Sequence, residues 1–469
     1  MSWRKWLIRV IATVFFTLVL RTAWLIGERE VWRAEGNREL VVAFAETEQH
    51  DPDWRWDQIT AARKQNAVGH NSAEVVRQVL EEMPPEWTRP SNPKKWQPGT
   101  PSLPGNTRYS ERDIVEIREN LKKVQKAINL SRTLRDYPEG HTAIVLNPDM
   151  LSTQLRHVDA LRLTIAILQW DAVLCLEDDL RLQAADDVLA MLNASRSIAD
   201  EPMIICQLVR ISNRITATRS LERTLGQTEL PGEKLASLQA AWTSDAEEPL
   251  LLYGLRGDRA AVDFMLENLM NGTIKPADIN VGTKSSDLSF DAFAWWLYRG
   301  HLARDRAFLH RYYTAAVEIA RLPIHEQPAM MDKIPQSPDQ ELIMANLFLP
   351  AVEKVAVAHW RGTVESRCAA TGIACERFRL KSGSWPDSLS DLTPELLPAI
   401  PLDPFNGQPL RYQKLVDGVA VSSVGKSLPG NPRVVHPGLP DEIEMGFRLW
   451  NPASRHQTAH FDETASEKP

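Results

Sequence analysis

The chain has 469 residues, of which 43% are hydrophobic and 25% charged, the profile of a globular protein able to bury a large core. A formal net charge of −7 leaves no basic footprint for a phosphate backbone, which excludes nucleic acid as a main partner. Four cysteines are too few for a disulfide framework in a chain of this length.

Residues 1–5 form a basic tail with Arg4 and Lys5, and an apolar run extends from Trp6 to Ile26. At about 1.5 Å per residue the run is about 32 Å long, enough for a hydrocarbon core of about 30 Å. Arg9 and Arg21 lie near its ends, where their stems can snorkel to the headgroups, and Trp3, Trp6 and Trp24 sit at its edges. The following residues, WLIGEREVW, offer no small-residue cleavage pattern. The expectation is an uncleaved signal-anchor: a single-pass transmembrane helix over 6–26, in the cell membrane, with the body outside the cytoplasm.

Glu and Arg at four-residue spacing continue the helix over 27–50, predicting a stalk. Residues 51–109 are rich in Trp and Pro and read as an irregular segment with a short helix near 72–82. Trp56, Trp87 and Trp96 are expected to pin this segment onto the body. Ser110 with Asp113 three residues on predicts a helix start, and a helical body follows over 110–350. Apolar residues at three- and four-residue steps over 148–192 predict two successive helices. Further helices are expected over 203–225, from 231, over 249–270 and over 290–321, stacked as a bundle or α-solenoid.

From 351 to 450 the pattern predicts a long helix, kinked at Pro350, that runs to about Ser382 and leads to a small α+β unit. Within that unit the runs RYQKL and VAVSSVG flank Asp417-Gly418, a hairpin signal, and EIEMGFRLW can add a third strand. A polar, disordered tail is expected over 451–469. The fold class is therefore mainly α, with an N-terminal transmembrane helix and a small C-terminal α+β unit.

Residues capable of chemistry are scattered. Cys368 and Cys375 would stand about 10.5 Å apart along a helix, beyond disulfide reach, and read as core thiols. Asp178, Asp179, Asp186 and Asp187 read as a solvated face around an interhelical turn. His301 and His310, nine residues apart, fall on opposite faces of a continuous helix. Zinc spacings, a nucleophile elbow, a phosphate-cradling glycine loop and a dinucleotide fingerprint are all lacking. No catalytic, cofactor-binding or metal-binding residue is assigned, and no metal or cofactor is expected.

The most specific local pattern lies in 383–425. Gly383, Trp385, Pro386, Leu389 and Leu392 are followed by Pro401, Asp403, Pro404, Phe405, Gly407, Pro409 and Tyr412, and then by Gly418 and Gly425. Pro401 and Pro404 fix φ, Gly407 permits a left-handed residue, and Phe405 and Tyr412 would supply a small core. This order resembles the C-terminal element of the major pseudopilins of type II secretion. The chain departs from it at Leu20, where an acidic residue would follow the peptidase site, and at Lys426, where calcium-binding carboxylates would stand. The whole arrangement also resembles a family of uncharacterised planctomycete membrane-anchored proteins, which implies no particular activity. The expectation is a membrane-anchored, non-catalytic envelope protein whose helical body binds another protein. The alternatives are a component of a type II secretion-like or pilus-like apparatus, and a hydrolase with a dispersed site using Asp178, His301, His310 or His325.

Overall fold

A computed structural model describes residues 3–63, 69–88, 103–279, 292–335, 339–425, 436, 438–440 and 443–458. In chain order its helices are α1 (Trp3–His50), α2 (Trp56–Ala61), α3 (Ser72–Glu81), α4 (Pro85–Thr88), α5 (Glu111–Lys122), α6 (Gln125–Arg132), α7 (Arg156–Glu177), α8 (Arg181–Ser195), α9 (Ile204–Gln227), α10 (Gly232–Ala246), α11 (Leu250–Asn271), α12 (Ala292–Tyr298), α13 (Leu302–Ala320), α14 (Gln327–Met331) and α15 (Ile343–Ser382). Three strands follow, β1 (Arg411–Leu415), β2 (Gly418–Ser422) and β3 (Gly446–Trp450), so the protein is mainly α with one small antiparallel sheet.

Local chemistry sets many of the boundaries. Ser110 accepts the amide of Asp113 at 3.2 Å and starts α5, as the sequence predicts. Asn71 accepts the amide of Ala73 at 3.0 Å and starts α3. Gly272 and Gly383, with φ of 84° and 78°, end α11 and α15 in the left-handed conformation that glycine adopts most readily.

Helix α1 is the longest element, and its two halves behave differently. An 18-residue window within it has a mean hydropathy of 1.9 and none of its residues buried, so this helix is long and apolar enough to cross a membrane. Residues 27–50 are not a free stalk. They lie along α13, burying Leu40, Ala43 and Thr47, and Gly36 approaches so closely that a Cβ would stand 2.6 Å from the backbone nitrogen of Arg304. Just beyond the helix, Asp51 receives Arg256 at 2.7 Å, Arg321 at 3.3 Å and the buried Arg259. Burial alone would raise the Asp51 carboxyl; the hydrogen bond and charge of Arg256 and the charge of Arg259 outweigh it and lower it.

Contact with α1 also divides the helix expected over 290–321. Helix α12 stops at Tyr298 and α13 begins at Leu302, because the chain turns at Gly300 against Arg29. A Cβ at Gly300 would meet Cγ of Arg29 at 2.9 Å, and Arg29 Nε donates to the carbonyl of Trp296 at 2.8 Å.

The body is organised around α9 and α15, which pack on each other. On one side lie α7, α8, α10 and the sheet, sharing a core that includes Leu161, Leu192, Leu221, Trp242, Ile373 and Phe447. On the other lie α11 and α13, with Leu255, Leu266, Tyr313, Val352 and Trp360. Packing ignores the predicted boundary between 350 and 351: α15 starts at Ile343, and its buried residues belong to both cores. The reason is that α15 is buried on most of its circumference, so it acts as the axis of the body and not as the opening of a separate unit.

The sheet has the order β1-β2-β3, with Arg411 opposite Ser422 and Gly418 opposite Trp450. Strands β2 and β3 are buried throughout, whereas β1 is the exposed edge. Phe447 packs on α15 at Gly372, where a Cβ would stand 2.6 Å from its ring. Residues 451–458, expected to be disordered, are held in place. Arg455 pairs with buried Glu376 at 2.7 Å, and Gln457 bridges to Thr107, because this segment supplies partners for polar groups at the ends of α9 and α15. Trp96, Lys426 and residues 459–469 lie outside the described residues.

Candidate functional site

The residues singled out in 383–425 lie along the C-terminal half of α15, from the level of Trp360 and Arg367 to its end at Gly383. Trp385 donates to Asn451 at 2.7 Å and stacks under Arg379, and the carbonyl of Pro386 accepts the Tyr412 hydroxyl at 2.8 Å. Pro401 accepts the amide of Leu410 at 3.1 Å, and Pro404 is buried beside Asp403. Asp403 is the centre of the arrangement. One oxygen accepts Ser423 Oγ and the amide of Val424, both at 2.8 Å, and the other accepts the amide of Phe405 at 3.0 Å. Gly407 and Gly425 are left-handed, with φ of 68° and 62°. At Gly418 a Cβ would fall 2.0 Å from the carbonyl oxygen of Leu449. Phe405 and Tyr412, expected as the core anchors, are only half-buried. Phe447, Leu449 and Val421 fill that role, because the inner strand pair faces the helices while the 401–412 segment runs around its edge.

The remaining predicted residues are dispersed. Cys368 and Cys375 are buried free thiols on α15. Asp178 and Asp179 are exposed at the α7–α8 turn, but Asp187 is fully buried, contrary to a solvated face. It shares Arg132 with Asp171 and lies 3.7 Å from the Cys175 thiol. Burial, then the charge of Asp171, push the Asp187 carboxyl up. The ligand atoms of Asp171, Cys175 and Asp187 lie within 4.8 Å of one another, as do those of His157, Glu201 and Cys206. In the second group His157 Nε2 stands 2.9 Å from Glu201, and the charge of Arg63 acts on Cys206, a setting already supplied with a cation.

His301 and His310 both meet α1, because His301 precedes the first turn of α13 and does not follow its helical phase. His301 stacks on Trp32 at 4.2 Å between ring centres; His310 lies among Phe44 and Trp54. Burial, then the charges of Arg259 and Arg306, push His310 down to about 3. His325 stands apart, against Gly407.

A further candidate site is a groove that sequence reading did not locate. It lies between α7, α9 and α15 and has a volume of about 650 Å³. Val173 and Leu176 of α7, Leu208, Ile211 and Ile215 of α9 and Ala358 of α15 give it apolar walls. Its charged end holds Arg219, Arg361 and Glu365. Arg219 donates to Glu365 at 2.8 Å, yet Arg219 Nη1 and the second oxygen of Glu365 are buried with no hydrogen-bond partner among the described residues. Burial raises the Glu365 carboxyl above its ordinary range in spite of Arg219 and Arg361. Beside it, Glu222 accepts the amide of Arg448 at 2.8 Å and lies 3.1 Å from His436 Nε2. Burial pushes Glu222 up to about 8, against the charge of Arg219. Two acids on different helices, far apart in the chain, carry no sequence motif; the only available signal was a pair of charges on faces that the apolar period assigns to the core.

No protein-family model matches the chain, and no curated protein or solved structure matches it either.

Proposed function

We propose that the protein is a non-catalytic binding protein of the cell envelope, anchored in the cell membrane by residues 6–26 with its helical body outside the cytoplasm. The groove between α7, α9 and α15 takes an extended apolar segment of a partner protein. The supporting observation is a donor and an acceptor at the groove's charged end, Arg219 Nη1 and Glu365 Oε2, that have no partner among the described residues, next to the apolar walls of Val173, Leu176, Ile211 and Ile215. A buried polar atom without a partner costs about 1–3 kcal/mol, so a ligand that satisfies both atoms recovers that cost on binding. One residue of an extended peptide does so: its carbonyl accepts from Arg219 and its own amide, on the same side of the strand, donates to Glu365, while flanking apolar side chains cover Ile211, Ile215 and Leu176. An amide donor at Glu365 also favours the charged carboxylate, which strengthens its pair with Arg219.

The test is selection of apolar octapeptides from a displayed library on the full-length protein in detergent. Peptides that bind should lose about tenfold in affinity when the single amide that meets Glu365 is N-methylated, since a hydrogen bond to a charged group contributes about 1.5–3 kcal/mol. Ile215→Asp should abolish binding. Peptides that bind equally well to the Ile215→Asp protein, or that tolerate N-methylation at every position, would refute the reading.

A further inference from the structure

We infer that α12 is a second membrane contact, its Phe293 and Trp296 face seated in the headgroup region of the bilayer that α1 spans. The inference rests on reading residues 6–26 as a membrane span, and it says how the body is held against that membrane.

The geometry begins where the span ends. Arg29 is three residues beyond Ile26, about 4.5 Å along the helix axis. There α1 is already bound to the body: Arg29 Nε donates to the Trp296 carbonyl at 2.8 Å, its guanidinium covers the Trp296 ring at 4.8 Å, and Trp32 stacks on His301. No free linker separates the apolar half of α1 from the folded half, so α12 lies at the level of the membrane–water boundary. The side chains presented at that level suit it. Phe293 is 59% exposed, and its ring stacks on Trp296 at 6.0 Å, one turn away on the same face. Trp24, Ile26 and Val31 of α1 are exposed beside this level. Arg33, which also reaches Glu30 at 3.6 Å, and Arg299, which also donates to the Met270 carbonyl, are both exposed and add cations for lipid phosphates. Large aromatic rings with nearby arginines match the amphipathic chemistry of the interface, where Trp and Phe rings pack between headgroups and upper acyl carbons.

The experiment uses the full-length protein in vesicles of phosphatidylcholine and phosphatidylglycerol, with an environment-sensitive fluorophore on one introduced cysteine. The four native cysteines are buried and do not compete for the label. Labels are placed by Phe293→Cys, by Ile26→Cys within the span, and by Val416→Cys at the fully exposed β1–β2 turn. The expected result is that the 293 and 26 labels lose emission to a lipid bearing a quencher near the headgroup and resist aqueous iodide, while the 416 label does the reverse. If the 26 label is quenched by lipid but the 293 label follows 416, the α12 contact is overturned and the span stands. If the 26 label is itself open to iodide, the span reading fails and the α12 contact falls with it.

Discussion

Two carboxylates, Glu365 and Asp403, pack near Cys368 of α15 and add to the burial that pushes that thiol up, yet they stand in opposite situations. Asp403 meets three donors within 3.0 Å, all from the C-terminal unit. Glu365, in the groove, meets one arginine, and its second oxygen has no partner among the described residues. The first arrangement is complete without a ligand and acts as a clasp that ties the 401–412 segment to the end of β2. The second is incomplete, and an incomplete polar pair in an apolar groove costs stability that only binding can recover. Completeness of hydrogen bonding thus separates a structural acid from a candidate recognition acid more sharply than burial does, since both are buried.

The comparison can be tested most strongly in the C-terminal unit. Phe447→Ala should cost about 3–5 kcal/mol, because the ring is fully buried against Gly372. Asp403→Ala should cost about 3 kcal/mol by leaving two backbone amides and a hydroxyl without their acceptor. Phe405→Ala, at a half-buried ring, should cost only about 1–2 kcal/mol. Urea unfolding monitored by circular dichroism ranks the three, and a larger loss for Phe405→Ala than for Asp403→Ala would reverse the reading of the clasp.

In the groove the opposite behaviour is expected. Replacing both partners, Arg219→Met with Glu365→Met, should leave stability unchanged or raise it by about 1 kcal/mol, because an apolar pair removes the desolvation cost. The same double variant should no longer bind the selected peptides. A loss of several kcal/mol on thermal unfolding would mean that the pair is structural after all.

A further effect depends on pH. Glu222 holds its proton to about 8 in the folded protein, against an ordinary 4.5, with burial as the main cause. Its contribution is therefore full below pH 4.5 and is lost as pH rises toward 8, since over that interval the folded state binds the extra proton. Asp258, pushed up to about 7 by burial, acts in the same direction. Glu222→Gln should flatten the fall in Tm between pH 5 and pH 9 while changing Tm little at pH 5. An unchanged slope would show that Glu222 ionises normally in the folded state.

How much of this was legible in the chain depends on the range of the interaction involved. The apolar run in α1, the cap at Ser110, the α7–α8 turn and the Asp417-Gly418 hairpin are consequences of neighbours within a few residues, and composition and spacing determine them. The predicted block in 383–425 was found for the same reason, although its core anchor was misplaced from Phe447 to Phe405. Other features were set only when distant segments met. Docking of 27–50 on α13 turned a stalk into part of the body and broke the α12–α13 segment at Gly300. Packing of α7 against α8 buried Asp187, and the crossing of α9 and α15 joined Arg219 to Glu365 across 146 residues. A side chain's period and propensity are local, but whether its polar atoms are paired is decided by whichever remote segment packs against it. Most helices and strands, and the apolar character of the first half of α1, were therefore determined by the sequence alone, whereas the α12–α13 break and the groove with its polar atoms lacking a partner among the described residues were decided by tertiary structure.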